Sequence, residues 1–199
     1  MGSPAETATS PTPRLRSFNG PAVLSYGFRP FFLLAAVWAA IGIAIWLLAF
    51  AGIIVLPTSF NPPDWHAHEM LFGFAAAAVA GFVLTAVPNW TGRLPLQGKA
   101  LLLLTLLWLA GRLAVASSAL IGGLTAAAID VTFLAALFLA VAREITAGRN
   151  WRNLPVATAL FALLAANAIF HTEALVTGST PALASRLGIA TLVALVALI

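Results

Sequence analysis

The chain has 199 residues, of which 61% are hydrophobic and 8% charged, with a mean hydropathy of +1.01 and a formal charge of +4. A soluble domain carries about 25% charged residues, so the composition excludes a water-covered globule; the charge gives no reason to expect nucleic acid as a partner. The absence of cysteine excludes disulfides, thiolate metal sites and cysteine-ligated iron–sulfur clusters.

Residues 1–22 are rich in Ser, Thr, Pro and Ala and read as a disordered cytoplasmic tail with no cleavable signal. The transmembrane domain is expected over 23–199. Its apolar stretches lie at about 31–53, 68–88, 99–119, 122–142, 154–176 and 183–199. Each is close to the roughly 20 residues needed to cross about 30 Å of hydrocarbon. No barrel-like alternation of strand and turn accompanies them. The fold class is therefore all-α: a polytopic helical membrane protein with six transmembrane helices in this chain. The last span reaches Ile199 still apolar and uncapped, and the chain is expected to be part of a longer protein.

Eight of the ten basic residues fall on alternate sides of these spans, beginning with the N-terminal segment (Arg14, Arg16, Arg29) and continuing with Arg93, Lys99, Arg143, Arg149 and Arg152. By the positive-inside rule the N-terminus is expected in the cytoplasm and the first loop on the periplasmic side.

Ionisable groups inside a bilayer are costly and mark candidate sites. The chain has three histidines: His66 and His68 in the stretch DWHAHEM at 64–70, and His171 in the fifth span. His68 and Glu69 open the second span at its outer end, and His171 lies roughly 8 Å below the same face at 1.5 Å per residue. Arg112 and Asp130 are each nine residues from Ile121, the centre of a tight turn, which sets both roughly 13 Å deep. The expensive residues thus share the outer half and predict one polar pocket open to the periplasm.

Helix angles restrict the ligand set. If both are helical, His66 and His68 point about 200° apart and cannot chelate one ion together. His68 is the better placed to face inward. Asn167 and His171, four apart, share a face, while Glu173 points away from His171. The candidate ligands for a metal ion or haem iron are His68 and His171, with His66 third. Their ordinary alternatives are an interfacial histidine beside Trp65, an interhelical hydrogen bond, and a solvated loop position. Glu69 reads first as a partner of the helix N-terminal dipole, and Met70 as packing. Arg112 and Asp130 read first as an ion pair, with a second role for Arg112 in meeting a haem propionate or another anion. Gly73, Ala77, Gly81 and Thr85 form a small-residue stripe that lets another helix approach. No GxGxxG, P-loop, HExxH or GxSxG occurs, so hydrolase and kinase readings have no support.

The stretches LSYGFRPFFLLAA (24–36), DWHAHEMLFGFAAAAVAGFVLTAVPNWTGR (64–93) and LLWLAGRLA (106–114) closely resemble the NnrS family. The resemblance implies a bacterial inner-membrane protein containing haem and copper. It also implies a link to nitric oxide metabolism and to protection against nitrosative stress, often beside denitrification. The expected partners are membrane lipid and nitric oxide or a nitrosylated metal species. Family members look about twice as long, with about twelve spans, so this chain is expected to be an N-terminal half whose site needs the missing C-terminal half. The resemblance assigns neither cofactor to a particular histidine. A reading from another class, suited to a two-half architecture, is a periplasm-facing transporter of a small solute or metal. Whether the family role is enzymatic is left open.

Overall fold

The computed structural model describes residues 18–178 and 180–198; positions 1–17 of the expected tail lie outside them. The described residues form a bundle of six main helices: α1 (Phe28–Phe50), α2 (Pro62–Thr91), α3 (Lys99–Ala116), α4 (Gly123–Ala147), α5 (Leu154–Thr177) and α6 (Ala182–Leu198). Five helices are long and apolar enough to cross a membrane, and α6 is a shorter apolar helix. The fold is all-helical, as composition and span length imply.

Where helix ends differ from the apolar stretches, local chemistry explains the difference. α1 stops at Phe50 because Gly52 turns the chain with a φ of 72°, leaving Ile53, Ile54 and Val55 in a loop. α2 begins at Pro62, six residues before the apolar run expected from 68. Asn61 caps it, its side-chain oxygen accepting the Asp64 N–H at 2.9 Å. Pro62 and Pro63 occupy the first turn, where an N–H has no helical partner to lose. Both His66 and His68 are therefore helical. The helix then widens into a π segment over Glu69–Ala75 before resuming as α-helix, and ends at Gly92 with a φ of 68°.

α2 is the central element. Of its most apolar window 56% is buried, against 17% for α1, whose outer residues face the lipid phase. α2 packs on α1 and α4, and its π segment also touches α3 and α6; α3, α4, α5 and α6 pack in sequence order. Close approach depends on missing side chains. A Cβ on Gly81 would meet the Phe32 ring of α1 at 2.7 Å. One on Gly111 would meet the Asp130 carboxylate of α4 at 2.7 Å and its backbone at 3.3 Å. This second contact lays α3 against α4 where Arg112 and Asp130 must meet.

Candidate metal centre

Five polar side chains from four helices close into one buried cluster: His68 and Glu69 of α2, Arg112 of α3, Asp130 of α4 and His171 of α5 are 0–4% exposed. Asn167, one turn before His171 on α5, completes it at 1% exposure. The expected pairing of Arg112 with Asp130 is present: Arg112 Nη2 donates to Asp130 Oδ1. Its Nη1 donates to Glu69 Oε2 at 2.7 Å. Trp38 Nε1 of α1 donates to the same Glu69 oxygen at 2.8 Å. One guanidinium thus bridges two carboxylates on different helices, which Arg can do and a Lys point charge cannot do in the same way.

The carboxylates in turn orient the imidazoles. His68 Nδ1 lies 3.1 Å from Glu69 Oε1. Its Nε2 lies 3.2 Å from Asp130 Oδ2 and 3.1 Å from Asn167 Oδ1. His171 Nε2 lies 3.0 Å from the same Asp130 Oδ2, which also accepts from Asn167 Nδ2 at 2.8 Å. His68, Asp130 and His171 therefore each aim one ligand atom at a common point, all within 4.8 Å of one another.

The donor set fits a small cation. Ligand atoms sharing an ion on bonds of about 2.0–2.2 Å stand roughly 3–3.5 Å apart; the two imidazole nitrogens stand 3.2 and 3.0 Å from Asp130 Oδ2, and all three atoms lie within 4.8 Å of one another. His68 Nε2 faces two oxygen acceptors while Nδ1 faces a carboxylate. A neutral imidazole cannot satisfy all of them without a proton or a cation between Nε2 and the oxygens. The Nδ1–carboxylate pairing is the arrangement that fixes the tautomer of a metal-binding histidine. Two buried carboxylates face one guanidinium and two imidazoles, so a proton or a cation among the imidazoles completes the charge balance.

His66 is not part of this centre. Two positions before His68 on the same helix, it points away from the cluster and stacks on Trp46 of α1, with ring centroids 4.1 Å apart and planes at 19°. Of the three candidate histidines, the structure brings His68 and His171 together beside Asp130 and leaves His66 apart. Met70 packs its methyl beside Gly42 of α1. Glu173 turns away from His171, as expected, and accepts the Ala184 N–H of α6 at 3.2 Å. Glu69, read from the sequence as a helix-dipole partner, is instead an inward member of the network. The signal available for it was its position next to His68.

The expected open pocket is also corrected: aromatic rings seal the centre. Phe60, Phe72 and Phe170 have ring centroids 5.1–5.6 Å from that of His68, and Phe60 is 5.7 Å from His171. Phe60 sits on the loop after α1. Ser118 ties that loop to the α3–α4 turn, its Oγ accepting the Ser59 N–H at 2.8 Å, while the Ala119 N–H donates to Pro57 O at 3.0 Å. On its far side, Phe60 lines a cavity of about 290 Å³ with Ala49, Thr58 and Pro62. Truncation of this lid, Phe60→Ala, is expected to make His68 and His171 react several-fold faster with diethyl pyrocarbonate, read by mass spectrometry of histidine peptides. An unchanged rate would show that Phe60 is not the barrier.

Against known families, the NnrS protein model matches residues 22–199. The chain belongs to the NnrS family. Neither a curated protein nor a solved structure matches it. The residues that carry the family resemblance in α2 and α3 are the ones that build the centre: in this NnrS protein His68, Glu69 and Gly73 lie in the HAHEMLFG run and Arg112 in LLWLAGRLA.

Proposed function

We propose that this NnrS-family membrane protein binds a copper ion at His68, Asp130 and His171 and acts in nitric oxide metabolism or protection against nitrosative stress. The observation that carries the reading is the convergence of two imidazole nitrogens on one carboxylate oxygen inside a buried cluster of two carboxylates and one guanidinium. Two imidazoles and a carboxylate, with no thiolate in the chain, form a nitrogen and oxygen donor set that suits copper or zinc, and copper is the stronger binder of the two. When bound, copper supplies a redox-active, nitric-oxide-binding centre. His68 and His171 would hold it, Asp130 would neutralise part of its charge, and Glu69 would keep the His68 Nδ1 proton so that Nε2 is free to ligate. The aromatic rings keep bulk water and large solutes from the centre.

Haem fits this centre poorly. Iron bound to either imidazole would need space for a macrocycle beside it, and Phe60, Phe72 and Phe170 occupy the surroundings. The proposed setting is a bacterial inner membrane with the N-terminus in the cytoplasm, supported by the alternation of basic residues; the centre then lies toward the periplasm. A transporter would need an open path to its polar site, and the sealed cluster lends that reading no support.

The test is elemental analysis and absorbance of purified protein beside His68→Ala and His171→Ala. Stoichiometric copper is expected in the unsubstituted protein, with at least a ten-fold loss of affinity in each variant. Addition of nitric oxide is expected to change the copper spectrum of the loaded protein. Equal copper in all three preparations would remove the assignment of these ligands.

A further inference from the structure

The end of α2 remote from the histidines borders a cavity of about 580 Å³ between α2, the segment leading to α3, and α4. Its floor is apolar, formed by Leu84, Val87 and Val141. Its rim is charged: Arg93, Arg143 and Glu144 lie at the helix ends, with Gln97 beside them. Arg93 Nε donates to Glu144 Oε2, so that pair is internally matched. Arg143 is exposed and has no acidic partner among the described residues. Gln97 Oε1 is buried without a hydrogen-bond donor. The rim therefore holds two guanidinium groups against one carboxylate, a net charge of +1.

From these features we infer that the cavity is a binding site for a singly anionic glycerophospholipid, for which phosphatidylglycerol is the probe. Each part of the cavity selects a part of that molecule. The apolar lining, which includes the exposed Leu94 and the side of α4 at Ala140, takes an acyl chain. Unmatched Arg143 takes the phosphate, as basic groups at the membrane boundary do. The charge of −1 on the head balances the rim. The volume lies within the range of small-molecule sites and far below what a folded partner needs. The site is remote from the metal centre and does not rest on the copper assignment.

The experiment uses the full chain in nanodiscs of mixed phosphatidylglycerol and phosphatidylcholine, with retained lipid read by native mass spectrometry. Phosphatidylglycerol is expected to be enriched on the protein. Arg143→Gln, at an exposed position, is expected to lower that enrichment about five-fold, the effect of one basic residue at an anionic surface. Ala140→Phe, which fills the cavity from α4, is expected to lower it as much with the charges intact; an unchanged helical circular dichroism spectrum reports that both variants fold. Equal retention of the two lipids, or enrichment unaltered in both variants, overturns the proposal. Glycerophosphoglycerol binding as tightly as the lipid also overturns it, by assigning the rim to a soluble phosphate.

Discussion

Arg112→Met is expected to destabilise the detergent-solubilised protein more than either histidine substitution. The side chain is 2% exposed and bridges Glu69 and Asp130, which are 0% and 1% exposed. Methionine fills similar space, so the loss is electrostatic rather than a cavity. Removing the shared cation leaves two buried carboxylates with no guanidinium between them. Breaking a buried ion pair at one partner costs about 3–5 kcal/mol, because a charge is left uncompensated. A histidine substitution removes hydrogen bonds worth about 1–3 kcal/mol where a charged group is involved. The two mechanisms separate in a combined variant. Adding Glu69→Gln and Asp130→Asn to Arg112→Met leaves no uncompensated charge and is expected to recover most of the lost stability in thermal unfolding. A single Arg112→Met protein that melts with the unsubstituted one would show that the bridge contributes nothing to stability.

Depth and helix periodicity made a good part of this cluster legible. Arg112 and Asp130 are equidistant from a turn, which on antiparallel helices sets them at one depth; the close approach at Gly111 brings them together. Asn167 and His171 are four apart and share a face, and both reach Asp130 Oδ2. The 200° separation of His66 and His68 was also legible, and decides between them once Asn61 and two prolines start the helix early. The remaining features were not. The π segment over Glu69–Ala75 changes which residues of α2 face α3 and α6, and no composition rule marks an i→i+5 turn. Glu69 neighbours His68 in sequence, and angular reasoning would turn it about 100° away. Its long side chain nevertheless returns to His68 because Arg112 and Trp38 hold the other carboxylate oxygen. The seal was hidden for a different reason: Phe60 lies in a loop, where hydropathy does not report direction, and the bonds of Ser118 and Ala119 to that loop fix it over the histidines.

Gly73→Ala tests whether this geometry serves the ion or merely fills the bundle. Gly73 lies in the π segment, and its carbonyl accepts Trp108 Nε1–H at 3.0 Å. A Cβ there would stand 2.6 Å from Arg112 Nη1, 2.9 Å from Glu69 Oε2 and 3.0 Å from Trp38 Nε1. The three atoms belong to the hydrogen bonds that hold Glu69, so the methyl cannot enter without displacing at least one of them. Helix propensity works in the opposite direction: Ala is favoured over Gly by about 1 kcal/mol in a helix interior. If Gly73 were only a gap in the stripe, alanine would leave copper binding intact and raise stability. If it is the space through which Arg112 and Trp38 reach Glu69, the His68 Nδ1 proton loses its fixed acceptor. Loss of such a partner lowers metal affinity about 10- to 100-fold. The expected result is a drop of that size in copper affinity by chelator competition. Gly81→Ala is the control, since its Cβ would meet the Phe32 ring at 2.7 Å, away from the network. That variant is expected to lose stability and keep its affinity, because the overlap is as severe but touches no group that orients His68.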